Sequence, residues 1–595
     1  MNQLPPDVQG NIQKAHSVAI IPATNPQVPY SNISDLLRQQ VDKFGNKPWL
    51  IFYADVHEMR RTYTYKEFYE LTCKTANFLL KQDISRGDKI ATIAYNHPDT
   101  VIQYFAAWMV GAVVVPINVG EDDKRISYIL HNSRSKLVFV REEFFERVEN
   151  ILKEIPSAKI IVRVGNPHPV SDLRRSHPSP IGRGAGGEGH HVNFNSLLNN
   201  FKSTIENLPA VSLDDEALIV YTSGTTGLPK GVVLTQYNLL IDAKAIAEWH
   251  QMTPDQRMMC VLPIHHVNGT VVTLITPMYY GGSVVLNQKF HSKKFFEHIA
   301  EEKVHVVSVV PTLLQFLLHE NLEMSQYDIS HFRHIICGAG PLTCELAANF
   351  EERFHIPIIH GYGLSETTCY SCFLPLDLSQ DDHRHWLNEL GFPSIGVPVP
   401  PNEMAIHDEN GNVLPEGSKG EIVIRGHNVM KEYFANPEAN EKTFAHGWFR
   451  SGDEGFFKTD AKGRMFFFIT GRIKELIIRG GVNISPFEID EVLMNMPGVK
   501  AGLVVGFEND WYGEEIGAYI QLQNRQTLTE DDVIQYCRKF FSYQKCPKVV
   551  LFGNDIPVTS TGKYQRNKLK PLFVGWKTVQ FTENHTTSKV KSKNQ

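Results

Sequence analysis

Between Thr222 and Gly231 the chain reads Thr-Ser-Gly-Thr-Thr-Gly-Leu-Pro-Lys-Gly. Hydroxyl residues, glycines and one lysine concentrated in this way can cradle an anion. Glycine lets the backbone approach an anion closely and take up positive φ. Hydroxyls and free N–H groups donate to phosphate oxygens, and Lys230 adds charge. No Gly-Lys-Ser/Thr stands at the spacing of the common nucleotide-binding loop, so the cradle is of another kind. The apolar run Ala217–Tyr221 leads directly into it and reads as a strand. The chemistry expected here is phosphate handling at the end of a strand.

Other groups that could react carry less. Cys369 and Cys372 form one Cys-x-x-Cys, but no second pair stands at zinc-site spacing, so reduced thiols are expected. The histidines within 167–191 lie in a stretch rich in Gly, Pro and Ser that reads as a flexible surface insertion.

Something must position the loop. Short apolar runs alternate with helical patterns along most of the chain. Strands are expected at Lys89–Tyr95, Ala112–Ile117, Lys136–Val140, Lys159–Val164, Met258–Leu262, Ser283–Leu286, Val304–Val310, His334–Cys337 and Ile356–His360. Helices are expected at Tyr65–Lys81, Phe144–Glu154, Lys293–Glu302, Thr312–His319 and Cys344–Phe354. This alternation predicts an α/β fold with largely parallel sheets and crossover helices, whose ligands sit at the carboxyl ends of strands. Beyond Ile395 the strands shorten (Glu421–Arg425, Met465–Thr470, Leu476–Ile478). A helix at Pro486–Met496 and strands at Ala501–Gly506, Ile516–Leu522 and Val549–Phe552 then predict a smaller α+β unit.

Composition limits the partners. The 595 residues are 42% hydrophobic and 21% charged with a net charge of −6, which excludes a disordered chain and any bulk electrostatic attraction to nucleic acid. Eight cysteines make no disulfide framework. No secretory signal is read at Met1–His16. The most apolar stretch, Tyr104–Val119, is too short for a membrane span and reads as a buried helix running into a strand. A cytoplasmic protein without a membrane span is expected.

The loop resembles the signature of the AMP-forming acyl- and aryl-CoA synthetases, the superfamily that includes adenylation domains and firefly-type luciferases. Further ordered matches extend the resemblance from about Asn32 to Leu569. They are Pro263–Gly269 (Pro-Ile-His-His-Val-Asn-Gly), Cys337–Pro341 (Cys-Gly-Ala-Gly-Pro) and His360–Thr367 (His-Gly-Tyr-Gly-Leu-Ser-Glu-Thr). Gly447–Asp453, Thr470–Glu475, Arg479–Glu488 and Pro557–Lys563 (Pro-Val-Thr-Ser-Thr-Gly-Lys) follow. One departure is Thr235-Gln236, where many relatives have Thr-His; glutamine also donates and accepts.

The resemblance implies roles. Thr222, Ser223, Gly224, Thr225, Thr226, Gly227 and Lys230 would hold ATP phosphates, with Gly338, Ala339, Tyr362 and Gly363 around the adenine. Asp453 would take the ribose hydroxyls and Arg472 the ribose and phosphate. Ser365 would donate to the α-phosphate and Glu366 would ligate Mg²⁺, a hard cation suited to one carboxylate plus phosphate oxygens. Lys563 would be the catalytic lysine. His266, Val267, Gly269, Val310 and Gly340 would line the acyl pocket; His265 stands where many relatives have an aromatic or apolar residue. Lys474 would be the hinge, and Gly480 and Gly481 would flank the pantetheine arm.

The implied division is an AMP-binding domain at 1–473, a mobile C-terminal domain at 474–576 and a polar, frayed tail at 577–595. The implied activity is ATP-dependent ligation of a carboxylic acid to CoA through acyl-AMP. A mostly apolar pocket favours a fatty acid. A small polar acid of the oxalate or carnitine kind, or an acyl carrier protein as acceptor, are the alternatives.

Overall fold

The computed structural model describes residues 4–18, 25–54, 59–155, 158, 160–165, 192–194, 198–222, 228–523, 526–558 and 564–582. The insertion at 167–191 lies outside the described residues.

Among the described residues the strands form three sheets of thirteen, eight and five strands. The core of the largest is parallel: Pro48–Ala54, Ser283–Asn287, Arg257–Cys260, Val306–Val309, His334–Cys337 and Ile358–Tyr362 lie side by side. It continues antiparallel through Cys372–Phe373, Ser394–Pro398, Met465–Arg472, Phe449–Thr459, Gly420–Gly426 and Asn402–His407. In the second sheet Lys89–Ile93, Val113–Ile117, Leu137–Arg141 and Ile160–Val164 run parallel. Glu216–Thr222 adds on in parallel and Lys230–Thr235 folds back against it. The third sheet holds Ile477–Arg479, Val482–Ile484, Val499–Asn509, Gly513–Leu522 and Val549–Phe552. The short strands from Gly420 to Arg472 thus belong to the largest sheet, and the third sheet begins at Ile477.

The expected strands appear with their ends within three residues. Tyr65–Lys81 and Cys344–Phe354 are helices over the whole expected spans. The apolar stretch near Tyr104 is the helix Pro98–Met109, buried at every position, followed by the buried strand Val113–Ile117. Trp49, Phe68, Phe105 and Trp108 pack edge to face and tilted with ring centroids 4.1–5.6 Å apart. Each such buried side chain contributes about 1.5–3 kcal/mol of hydrophobic stabilisation. The same helix steers the loop: Trp108 Nε1 donates to Ala217 O at 2.8 Å, at the base of the strand Glu216–Thr222. Gln236 is fully buried, accepts from Ile33 N at 2.9 Å and donates to Trp108 O at 3.1 Å. Its two-sided hydrogen bonding explains why glutamine serves there.

One expectation fails. The tail is not frayed from 577. Asn509 Nδ2 donates to Val579 O at 2.9 Å, Asp510 N donates to Lys577 O at 3.0 Å, and Phe581 is buried with its ring 6.4 Å from Phe507. One aromatic among polar residues anchors the tail as far as Thr582. Among the described residues no helix is long and apolar enough to cross a membrane. All eight cysteines are free thiols.

Candidate active site

The hairpin Glu216–Thr222/Lys230–Thr235 fixes the base of the Thr-Ser-Gly loop. Thr222 pairs with Lys230 in the ladder, so both ends of the loop are held at one point. Ser223, Gly224, Thr225, Thr226 and Gly227 lie outside the described residues. Lys230 Nζ sits over the Tyr433 ring, 4.7 Å from its centroid. Burial and the nearby Lys474 lower its ammonium from the ordinary lysine range, against the pull of Glu366.

Glu366 lies on the single turn Ser365–Thr367, just past the carboxyl end of the strand Ile358–Tyr362. The turn is tight. A Cβ at Gly363 would collide with the Cys369 carbonyl, and Thr368 is held at φ +62° with its Oγ1 donating to Asn428 O at 2.6 Å. A β-branched residue at positive φ is strained and persists only where its surroundings impose it. Tyr433 Oη donates to Glu366 Oε1 at 2.8 Å, and Met430 N donates to Glu366 O at 2.7 Å. One tyrosine therefore joins the loop lysine, through its face, to the carboxylate, through its hydroxyl.

Asp453 and Arg472 face each other across the antiparallel pair Phe449–Thr459/Met465–Arg472. Arg472 Nε meets Asp453 Oδ1 at 2.8 Å, and Tyr362 Oη donates to Asp453 Oδ2 at 2.7 Å. The Asp453 side chain is buried, while that of Arg472 is 39% exposed. Asp453 raises the Arg472 pKa further, with Tyr362, Glu475 and Glu366 adding to it. Burial, then Asp453, holds the Tyr362 phenol far above its usual range. The two clusters meet through the run from Tyr362 to Glu366.

The expected acyl-pocket residues come from four elements. His266 and Val267 precede a π-helical stretch, Asn268–Ile275, whose second residue, Gly269, packs against the Pro263 carbonyl, where a Cβ would collide. The His265 and His266 rings are 4.5 Å apart, and burial pushes the His265 imidazole well below its usual range. Ala339 has φ +63°, a turn conformation beside Gly338 and Gly340. Val310 and Gly340 line a cleft together with Pro311, Leu346, Met494 and Tyr564.

Lys563 lies outside the described residues. Its neighbour Tyr564 bridges to Val558 and reaches that cleft. Gly480 and Gly481, at φ +56° and +82°, form an exposed hairpin tip, with nothing within 4 Å of a Cβ placed at Gly481. The strand leading to the tip is held by Arg479, which pairs with the buried Glu515 at 2.9 and 2.7 Å. Lys474 sits on the short turn Ile473–Glu475 between the largest and third sheets.

Residues 37–434 match the family model of the AMP-binding enzymes, and 488–563 match that of the AMP-binding enzyme C-terminal domain. The chain belongs to the AMP-binding enzyme family. It is 30% identical to a sulfoacetate–CoA ligase of Cupriavidus necator over 92% of this chain and 98% of that protein. It is 31% identical to the long-chain-fatty-acid–CoA ligase FadD13 of Mycobacterium tuberculosis, over 86% and 93% of the respective chains. The ATP-bound structure of MatB from Rhodopseudomonas palustris superposes with a TM-score of 0.77 at 25% identity, covering 91% of this chain and 99% of that one. These relationships identify an enzyme of the AMP-forming acyl-CoA synthetase superfamily, with a large N-terminal α/β domain and a C-terminal AMP-binding domain partner.

Within this AMP-binding enzyme, two contributions escaped the sequence. Tyr433 ends a two-residue strand, Glu432–Tyr433, ahead of the helix Pro437–Thr443, in a stretch with no motif of its own. Its relation to Lys230 and Glu366 exists only through the pairing of Glu432–Tyr433 with Val232 and Val233. Asp242, on the helix Gln236–Trp249, is fully buried and receives Asn428 Nδ2 at 3.1 Å and Tyr370 N at 3.4 Å. Burial raises its pKa to about 8. It holds Tyr370 from behind, and an isolated aspartate in an apolar helix gave no sign of that.

Proposed function

We propose that this protein activates a carboxylic acid with ATP and passes the acyl group to CoA. The observation that carries the proposal is the convergence of the loop base, Glu366 and the Asp453–Tyr362–Arg472 cluster, with Thr222, Tyr362 and Arg472 at the carboxyl ends of strands from two sheets. The relatives' named substrates run from sulfoacetate to long-chain fatty acids, so similarity at this level supports the ligase class and leaves the acid open.

In this reading the Thr222–Lys230 loop holds the β- and γ-phosphates, and Gly338, Ala339, Tyr362 and Gly363 enclose the adenine. Asp453, its second oxygen already oriented by Tyr362, accepts from the ribose, with Arg472 beside it. Glu366 fits Mg²⁺ as a single carboxylate, oriented by Tyr433, for an ion that otherwise takes phosphate oxygens and water. When bound, that ion would neutralise charge on the departing pyrophosphate. The substrate carboxylate attacks the α-phosphorus and pyrophosphate leaves. Ser365 and Lys563 stabilise the charge on the α-phosphate, a step made of positioning and electrostatics. The CoA sulfur then attacks the acyl carbon and AMP leaves.

Residues 1–473 act in this proposal as one domain and 474–576 as a second that pivots at Lys474. Two features support this. Tyr564, next to Lys563, lies at the cleft beside Gly340, whereas the Gly480–Gly481 tip faces solvent. Thioester formation then requires the C-terminal unit to turn and bring that tip to the acyl-AMP.

The test is pyrophosphate exchange with a panel of acids, followed by CoA or a carrier protein as acceptor. Lys563→Ala is expected to lose adenylation by about 100- to 1,000-fold and to spare thioester formation from supplied acyl-AMP. Equal loss in both steps refutes the assignment. Transfer to a carrier protein but not to CoA would favour that acceptor.

A further inference from the structure

The helix Pro486–Met494 touches both parts of the enzyme at once. Residues three apart on a helix share a face. Phe487 and Asp490 face the segment that follows Lys563. There Arg566 is buried, with its guanidinium 5.0 Å from the Phe487 ring centroid. It forks onto both Asp490 oxygens and donates to Val504 O at 2.7 Å, while its Nε lies 3.4 Å from Glu475 Oε2. Val558 pairs with Tyr564, and Gln565 N donates to Pro557 O at 2.8 Å, so the chain on either side of 559–563 is held together at its base. Arg566 roots that base on the helix.

Glu488 and Glu491, on the adjoining face, reach the N-terminal part. Cys344 N, at the start of the helix Cys344–Phe354, donates to Glu491 Oε1 at 3.2 Å. The first N–H groups of a helix have no partner within it, and a carboxylate beside them also meets the positive end of the helix dipole. Thr343 caps this helix from its own chain segment, its Oγ1 accepting from Leu346 N at 3.1 Å, and Glu491 completes the cap from about 150 residues further on. Burial, then the Glu491 charge, pushes the Cys344 thiol up to about 12. Glu488 is shared between Lys419 at 3.2 Å, just ahead of the strand Gly420–Gly426, and Lys545 at 3.0 Å in the C-terminal unit. Met494 and Tyr564 close the cleft against Thr343 and Leu346.

We propose that Glu491, assisted by Glu488, is a positioning residue for adenylation: it docks the helix that roots the Lys563 segment onto the N-terminal domain, and it lets go when the C-terminal unit turns. The proposal rests on the reading above, in which Lys563 serves adenylation and the unit pivots at Lys474. The pair of Lys419 with Glu488 is half exposed and contributes little. The Glu491 bond to a helix N–H carries most of the docking.

The experiment uses the full chain with ATP, Mg²⁺ and the acid of the panel above that supports exchange fastest, and the synthetic adenylate of that acid for the second step. Glu491→Ala is expected to slow pyrophosphate exchange about tenfold, the lower end for a hydrogen bond to a charged group, and to leave thioester formation from the adenylate unchanged or faster. Glu491→Gln keeps an acceptor and should recover most of the exchange. Wild-type exchange by Glu491→Ala overturns the proposal. So does an equal loss in both steps, which would mark a purely structural contact. Glu491→Cys, bridged to Cys344 with dibromobimane, fixes the docked orientation: exchange should persist and thioester formation should stop. A bridged enzyme that performs both steps overturns the proposal, and so does failure of the bridge to form in the free enzyme, a readout that needs no acid. Full exchange by Lys563→Ala would instead refute the reading on which the proposal rests.

Discussion

Tyr433→Phe tests the coupling of the loop to Glu366 with a minimal change. The substitution deletes one oxygen. The ring that lies under Lys230 stays, and so does its anchorage, because Tyr433 N donates to Asn440 Oδ1 at 2.7 Å and Asn440 Nδ2 donates back to Tyr433 O at 3.1 Å. What is lost is the 2.8 Å hydrogen bond to the Glu366 carboxylate. A hydrogen bond to a charged group contributes about 1.5–3 kcal/mol net. Glu366 is only partly buried, so water replaces part of it and the lower end applies. That corresponds to about tenfold in rate. The assay is pyrophosphate exchange at saturating acid over a range of Mg²⁺ concentrations. Exchange should fall about tenfold, with a rise in the Mg²⁺ needed for half-maximal rate. Thioester formation from supplied acyl-AMP should be unchanged, because the pyrophosphate and its ion have left by then. Exchange close to wild type at every Mg²⁺ concentration would refute the view that Tyr433 orients Glu366.

Three further outcomes follow from the geometry. Glu515→Ala strips Arg479 and Lys548 of a fully buried partner, and should destabilise the C-terminal unit by about 3–5 kcal/mol, read by denaturant melts and by protease cleavage within 477–552. Asp242 has its pKa raised by burial from 3.8 to about 8. The unfolded chain therefore releases this proton at lower pH than the folded one, and the group costs stability progressively as pH rises through that window. Asp242→Asn should flatten the fall in melting temperature between pH 5 and pH 8; an unchanged slope would assign the dependence to other groups. Gly481→Leu meets no neighbour but sits at φ +82°, so the fold should bear a strain of about 1–2 kcal/mol. Thioester formation should suffer more than pyrophosphate exchange, and the reverse order would sink the domain-turning proposal.

What was legible in the sequence, and what was not, divides along a physical line. The parallel strands could be read because strands covered on both faces are continuously apolar, as at Val113–Ile117 and Leu137–Arg141, and their boundaries hardly moved. Helices such as Tyr65–Lys81 could be read because one face stays wet. The helix Gln236–Trp249 and the π-helical Asn268–Ile275 could not, because both are buried nearly all round and so carry no stripe. The second is moreover rich in threonine and valine, which favour strands until tertiary packing overrides them. The same division holds at the site. Asp453 and Arg472 announce themselves because each sits in a motif, and the antiparallel ladder then sets them opposite one another. Tyr433, Asp242 and Asn428 act through neighbours that are distant in sequence, and their meaning arises only when the sheets close.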